Sequence, residues 1–190
     1  MNSCVATLLK TMVAYQPLGY SLSHVEVQKL AYFLQKAGED LRLQFTKYTY
    51  GPYSHQLHHA LNNMEGHYIR GVGDGNVEAS IEPMPDALEQ AEAFIAEQSD
   101  TTLQQHVDRV AELIEGYQSP YGMELLATVH WVATQERVTD VTAAVAKIGE
   151  WNDRKRTLMQ PAHIHAAWQQ LHANGWLGNV ERPASAILGS

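Results

Sequence analysis

The stretch from Val25 to Gly66 restricts the possible folds more than any other part of this chain. Val27, Leu30, Ala31, Leu34 and Ala37 recur at helical spacing, and Phe33 widens the stripe, so a helix here must bury one face. Ser23, followed three residues later by Glu26, forms a capping box at its start, and Gly38 suits its end. Leu41 and Leu43 lead into Phe45, Tyr48 and Tyr50, which favour a short extended or irregular run. Gly51-Pro52 breaks that run, and Pro52 suits the first turn of a second helix reaching about Glu65, with Leu57, Ala60, Leu61 and Met64 inward. Two helices facing each other across an aromatic strand or turn is the arrangement these residues require.

The flanking chain is mostly helical in pattern. Residues 3–15 place Val5, Leu8, Leu9, Met12 and Val13 on one face, before Pro17 and Gly19. Tyr68 to Val72 and Val77 to Ile81 read as strands joined by the turn Gly73-Asp74-Gly75-Asn76. Pro85 closes this hairpin, and Asp86 with Glu89 forms a second capping box for a helix to about Gln98. Asp100 or Thr101 caps the next, which carries Leu103, Val107, Val110, Ala111 and Ile114. After Gly116, Ser119-Pro120 starts a segment apolar on nearly all sides, from Met123 to Val132, which is the expected central buried helix. A shorter helix spans Val138 to Ile148, Arg154 to Arg156 make a brief basic patch, and Pro161 opens a last helix closed by Asn174-Gly175. Trp176, Leu177 and Val180 are expected to pack back or to add an edge strand. The expected class is α+β: one mostly α-helical domain with a small antiparallel β-hairpin. Residues 1–183 form that domain and 184–190 a flexible tail.

Charge is unevenly spread. The chain carries −8 in total, yet residues 74–115 hold eleven acids against Arg109 alone, so that segment carries −10 and the remainder +2. This opposes direct nucleic-acid binding. It leaves either a solvated helix face or a surface for a basic partner. Apolar residues make up 45% of the chain without a run long enough to span a membrane, and no signal-peptide pattern precedes Lys10, so a cytoplasmic protein is expected. The single cysteine, Cys4, excludes an internal disulfide.

Motifs for chemistry are sparse. His55, His58 and His59 form the best histidine cluster, and a zinc site there needs a third ligand, from His24, His67 or an acid. No His-Glu-x-x-His or Gly-x-Ser-x-Gly motif is present, and Gly71 to Gly75 lacks the Lys-Ser/Thr of a phosphate loop. Tyr32, Phe33, Tyr48, Tyr50, Tyr53, Tyr68 and Trp151 suit either a core under the Gly51-Pro52 turn or a protein interface. No cofactor and no catalytic residue are expected.

Lys29 to Lys36, Phe45, Lys47-Tyr48-Thr49-Tyr50-Gly51-Pro52-Tyr53-Ser54 and Leu57 resemble the Panacea, or SocA-like, antitoxin family. Asn62 to Gly71, Gly73 to Gly75, Trp151 to Lys155 and Ile164 to Trp168 bring it closer to the toxin-binding domains of the DarG-like members. The resemblance implies an antitoxin domain, not an enzyme, since the hydrolase macrodomain of such proteins has no room here. Its implied partner is a DarT-like DNA ADP-ribosyltransferase, neutralised by acids that imitate DNA. The toxin-binding residues it suggests are Asp74, Glu78, Glu82, Asp86, Glu89 and Glu92, complemented by Tyr48, Tyr50 and Tyr53. The alternatives are an adaptor delivering a toxin to a protease and, on the histidine cluster, a metal enzyme. Neither direct nucleic-acid binding nor a membrane is expected, and an N-terminal macrodomain belongs to the longer relatives.

Overall fold

The computed structural model describes residues 1–16, 21–73, 79–98 and 101–178. They form nine helices and two small two-stranded antiparallel sheets, the α+β class expected. Contacts cluster into two compact units, Met1–Thr128 and the chain from Val129 onward. No helix among the described residues is long and apolar enough to cross a membrane.

Helix α1 (Ser3–Tyr15) starts at Asn2, whose side chain accepts from the Val5 amide. Leu8, Leu9 and Met12 are buried, but Val13 lies outside the buried face. The expected stop at Pro17 and Gly19 falls outside the described residues. Helix α2 (His24–Ala37) has both halves of the Ser23–Glu26 capping box and ends at Gly38. It is buried almost all round, because Gln28, Lys29 and Tyr32 are covered along with the expected stripe. Helix α2 packs on α1, on the later helix Thr102–Ile114 and on the strand Gly51–Tyr53, which leaves Lys36 exposed near its end.

Strand β1 (Thr46–Tyr48) pairs with β2 (Gly51–Tyr53) in the register Thr46↔Tyr53, Lys47↔Pro52 and Tyr48↔Gly51. Pro52 therefore does not open the next helix. Helix α3 (His55–Met64) starts two residues later, where the Ser54 hydroxyl accepts from the Leu57 amide. The proline lacks an N–H but keeps its carbonyl, which is taken by Lys29, and a two-stranded ribbon tolerates it.

Strands β3 (Ile69–Arg70) and β4 (Glu82–Pro83) are shorter than expected, and β4 lies further along the chain. An isolated bridge between Leu22 and Ile81 ties the hairpin to the start of α2. Its turn, with Asp74 and Glu78, lies outside the described residues. Helix α4 (Pro85–Ala96) has Met84 as its N-cap with no side-chain bond. The Asp86–Glu89 capping box is corrected: Pro85 occupies the first turn, so Asp86 already sits inside the helix.

Helix α5 (Thr102–Ile114) buries Val107, Val110, Leu113 and Ile114. Asp100 lies outside the described residues, and Thr101 occupies the N-cap without a side-chain cap bond. Helix α6 (Pro120–Thr134) is buried without interruption over residues 122–130, as expected of a central helix.

In the second unit, α7 (Val141–Trp151) starts at Asp140, later than the periodicity suggests. Asn152 then caps α8 (Asp153–Leu158), and α9 (Pro161–Ala173) follows. The expected basic patch is interrupted, because Lys155 is fully buried with its Nζ 5.1 Å from the centre of the Trp151 ring. Trp176 and Leu177 pack back, while Val180 and the expected tail lie outside the described residues.

Candidate functional site

The site is built from one face of α2. Gln28 and Gln35 are seven residues apart, two helical turns, so both point to the same side. Each holds a backbone segment as a neighbouring strand would. Gln28 Nε2 donates to the Ser54 carbonyl at 2.9 Å, while the Ser54 amide donates to Gln28 Oε1 at 2.9 Å. Gln35 repeats the pattern on Leu43 at 2.9 and 2.8 Å. Between these two clamps runs the β1–β2 hairpin. Lys29, 1% exposed, donates from Nζ to the Pro52 carbonyl at 2.7 Å, so a buried amine also secures its middle.

The hairpin carries the tyrosines outward. Tyr48 is 51% exposed and Tyr50 44%, while Tyr53 is half-buried. The Tyr48 and Tyr53 ring centres are 5.2 Å apart, and Tyr53 meets His55 edge-on at 5.0 Å. Burial raises the Tyr53 phenol above its ordinary range, with a further contribution from Tyr48. Tyr48, Tyr50 and Tyr53, the first two turns of α2 with Gln28 and Lys29, and Pro120 line a mainly apolar groove of about 430 Å³. That is within the usual size range of small-molecule sites, ~300–1,000 Å³.

At one side of the groove, His24 Nε2 bonds to the Val72 carbonyl at 2.9 Å. The His24 and His58 ring centres lie 5.9 Å apart, and those of His58 and His59 5.8 Å. Burial and then the neighbouring imidazoles lower the pKa of His58, so that ring resists taking up a proton. Among the described residues, no three His, Cys, Asp or Glu side chains are grouped so as to hold a metal ion. The histidine-based metal enzyme is thus corrected: His24 is held by a backbone carbonyl rather than turned to a shared centre.

Of the acids expected to form a toxin surface, two are ion-paired within the chain. Glu82 is bound by Arg70 at 2.9 Å and Glu92 by Lys10 at 2.9 Å. Asp86 and Glu89 are exposed on α4, and Asp74 and Glu78 lie outside the described residues. The tyrosines, by contrast, are brought together. Gln28 and Gln35, which bond to the chain on either side of the hairpin, had no distinct signal in the sequence beyond their seven-residue spacing inside an apolar helix.

No family model matches the chain. It is 41% identical over 172 residues to a DNA ADP-ribosyl glycohydrolase of Thermus aquaticus, an alignment covering 90% of this chain and 47% of the relative. Proteins of the same name from Mycobacterium tuberculosis and Mycobacterium bovis are each 36% identical over 155 residues, covering 79% of this chain and 44% of theirs. These relatives are hydrolases by name. The chain spans about half the length of the curated relatives it matches.

That finding overturns the antitoxin expectation in each of its parts: the Panacea or SocA-like assignment, toxin neutralisation by DNA mimicry, the protease-adaptor alternative, and the expectation that no enzyme is involved. The physical reason lies in what the quoted motifs do. Lys29, Pro52 and Ser54 fasten a hairpin to a helix, and Gly51 allows the close approach of Lys29 and Thr128. Residues that fasten elements mark a fold rather than an activity.

Proposed function

We propose that this chain serves a DNA ADP-ribosyl glycohydrolase, and that its tyrosine groove seats a flat ring of the ADP-ribosyl group. The observation that carries this is the groove itself, with two exposed tyrosines over a mainly apolar pocket of about 430 Å³. Aromatic side chains stack on nucleotide bases through their ring faces. Charge favours the ADP-ribosyl end over the DNA strand. A chain of −8 repels a polyphosphate backbone along its whole length, whereas the ADP-ribosyl group brings a single diphosphate and a neutral base ring that an apolar groove can take. The groove residues all lie outside the acidic 74–115 segment, in the part of the sequence that sums to +2.

The groove's part is to bind and orient. Its walls carry no carboxylate among the described residues, and hydrolysis of a glycosidic bond ordinarily draws on carboxyl groups. A DarT-like protein that attaches ADP-ribose to DNA belongs to the same proposal as the source of the substrate, with a cytoplasmic place of action. Asp86 and Glu89, exposed on α4, are the acids offered to such a partner.

Calorimetric titration of ADP-ribose into this chain tests the reading. One-to-one binding is expected, and Tyr48→Ala or Tyr50→Ala should weaken it by about tenfold, the usual loss for one stacked base. An absence of binding at millimolar ADP-ribose, or tyrosine variants that bind as the parent does, overturns it.

A further inference from the structure

We infer that Gln28 is a positioning residue for the tyrosine groove, acting as a substitute strand that fixes where Tyr48, Tyr50 and Tyr53 stand. The inference rests on the reading of the groove as a ring-binding site. Gln28 is buried, and its amide is engaged by Ser54 in both directions at 2.9 Å. Ser54 directly follows β2, so the bond sets where that strand ends. The far end of the strap is held in the same way by Gln35 on Leu43. Residues 43–54 are therefore anchored at both ends on one helix face, and the hairpin is preformed. A short two-stranded ribbon has little stability of its own. Its geometry is thus set from α2, and a preordered site avoids the ordering cost that a mobile loop meets on binding.

Chemistry offers a selective test. A primary amide both donates and accepts, as the Gln28 pair requires. A carboxylate only accepts and would face the Ser54 carbonyl repulsively, whereas a protonated carboxyl again does both. Gln28→Glu is therefore a variant whose fit depends on protonation. A buried carboxyl facing a carbonyl is held protonated above the usual range, so the variant is read at about pH 5 and at about pH 8. His24 and Lys29 on α2, Lys47 and Tyr48 on β1, Tyr50 in the turn, Tyr53 on β2 and His55 on α3 are the other titratable groups along the strap and the groove it borders. They are common to variant and parent, so each reading is taken against the parent at the same pH.

Two readouts are used, hydrogen exchange of the Ser54 amide and affinity for ADP-ribose. At the lower pH both should match the parent. At the higher pH Ser54 should exchange faster and ADP-ribose should bind about tenfold more weakly, with the helical circular dichroism and Leu43 exchange unchanged. Equal values at both pH values, or loss at both with the helices intact, overturn the inference. If the parent binds no ADP-ribose, the proposed function fails alone, because Ser54 exchange still decides the positioning role. Should Gln28→Glu not fold at the higher pH, Gln35→Glu at the part-buried end gives the same paired reading at Leu43. A Leu43 amide indifferent to pH there overturns the two-clamp arrangement.

Discussion

Gly51 shows how much of the site turns on single atoms. Its φ of +97° is a conformation that L side chains rarely adopt. A Cβ built there would lie 3.1 Å from Thr128 Oγ1 and 3.4 Å from Lys29 Cε. Gly51→Ala should therefore cost about 1–3 kcal/mol, through backbone strain and crowding together. Urea unfolding followed by circular dichroism measures this, and a loss below about 0.5 kcal/mol would show that the backbone there can relax. Lys29 makes a related point. Read from sequence it is one polar residue in an apolar helix, yet it is buried with its Nζ on the Pro52 carbonyl. A buried polar group needs a partner, and one is supplied by a strand 23 residues further on.

At the level of elements, caps were the most legible feature and strand boundaries the least. The Ser23–Glu26 box, the Asn174–Gly175 stop and the Pro161 start depend on bonds within a turn or two, which local sequence records. Asn152 is both the last residue of the α7 boundary and the N-cap of α8, its side chain accepting from the Lys155 amide at 2.8 Å. Asn152→Ala should destabilise the second unit by about 1 kcal/mol, and Asn152→Asp should retain most of the cap. Thermal unfolding of the three proteins checks the order. The Gly51-Pro52 helix start and the Asp86–Glu89 box read well locally and do not form. In the first case the hairpin pairing claims the residues, and in the second Pro85 has already opened the helix.

For the whole molecule, charge and packing separate the possible ligands. If the groove holds a neutral ring, ADP-ribose affinity should change by less than about threefold between about 50 mM and about 500 mM salt. A site reading a DNA backbone would lose orders of magnitude over that range. Affinity measured across the salt series distinguishes them, and a steep loss would move the proposed contact from ring to phosphate. The acidic surface expected from composition is divided by the fold: Glu92 meets Lys10, 82 residues away, and Glu82 meets Arg70 across a strand pair. The sequence by itself determined the helices, their caps, the predominance of α structure and the aromatic stretch near Gly51, since these follow from periodicity and bonds within a few residues. Only the tertiary structure decided that Gln28 and Gln35 strap a hairpin, that Lys29 and Lys155 are buried, and that Tyr48 and Tyr50 face a groove. Those outcomes depend on which distant backbone satisfies a buried polar group, and no local pattern records that partner.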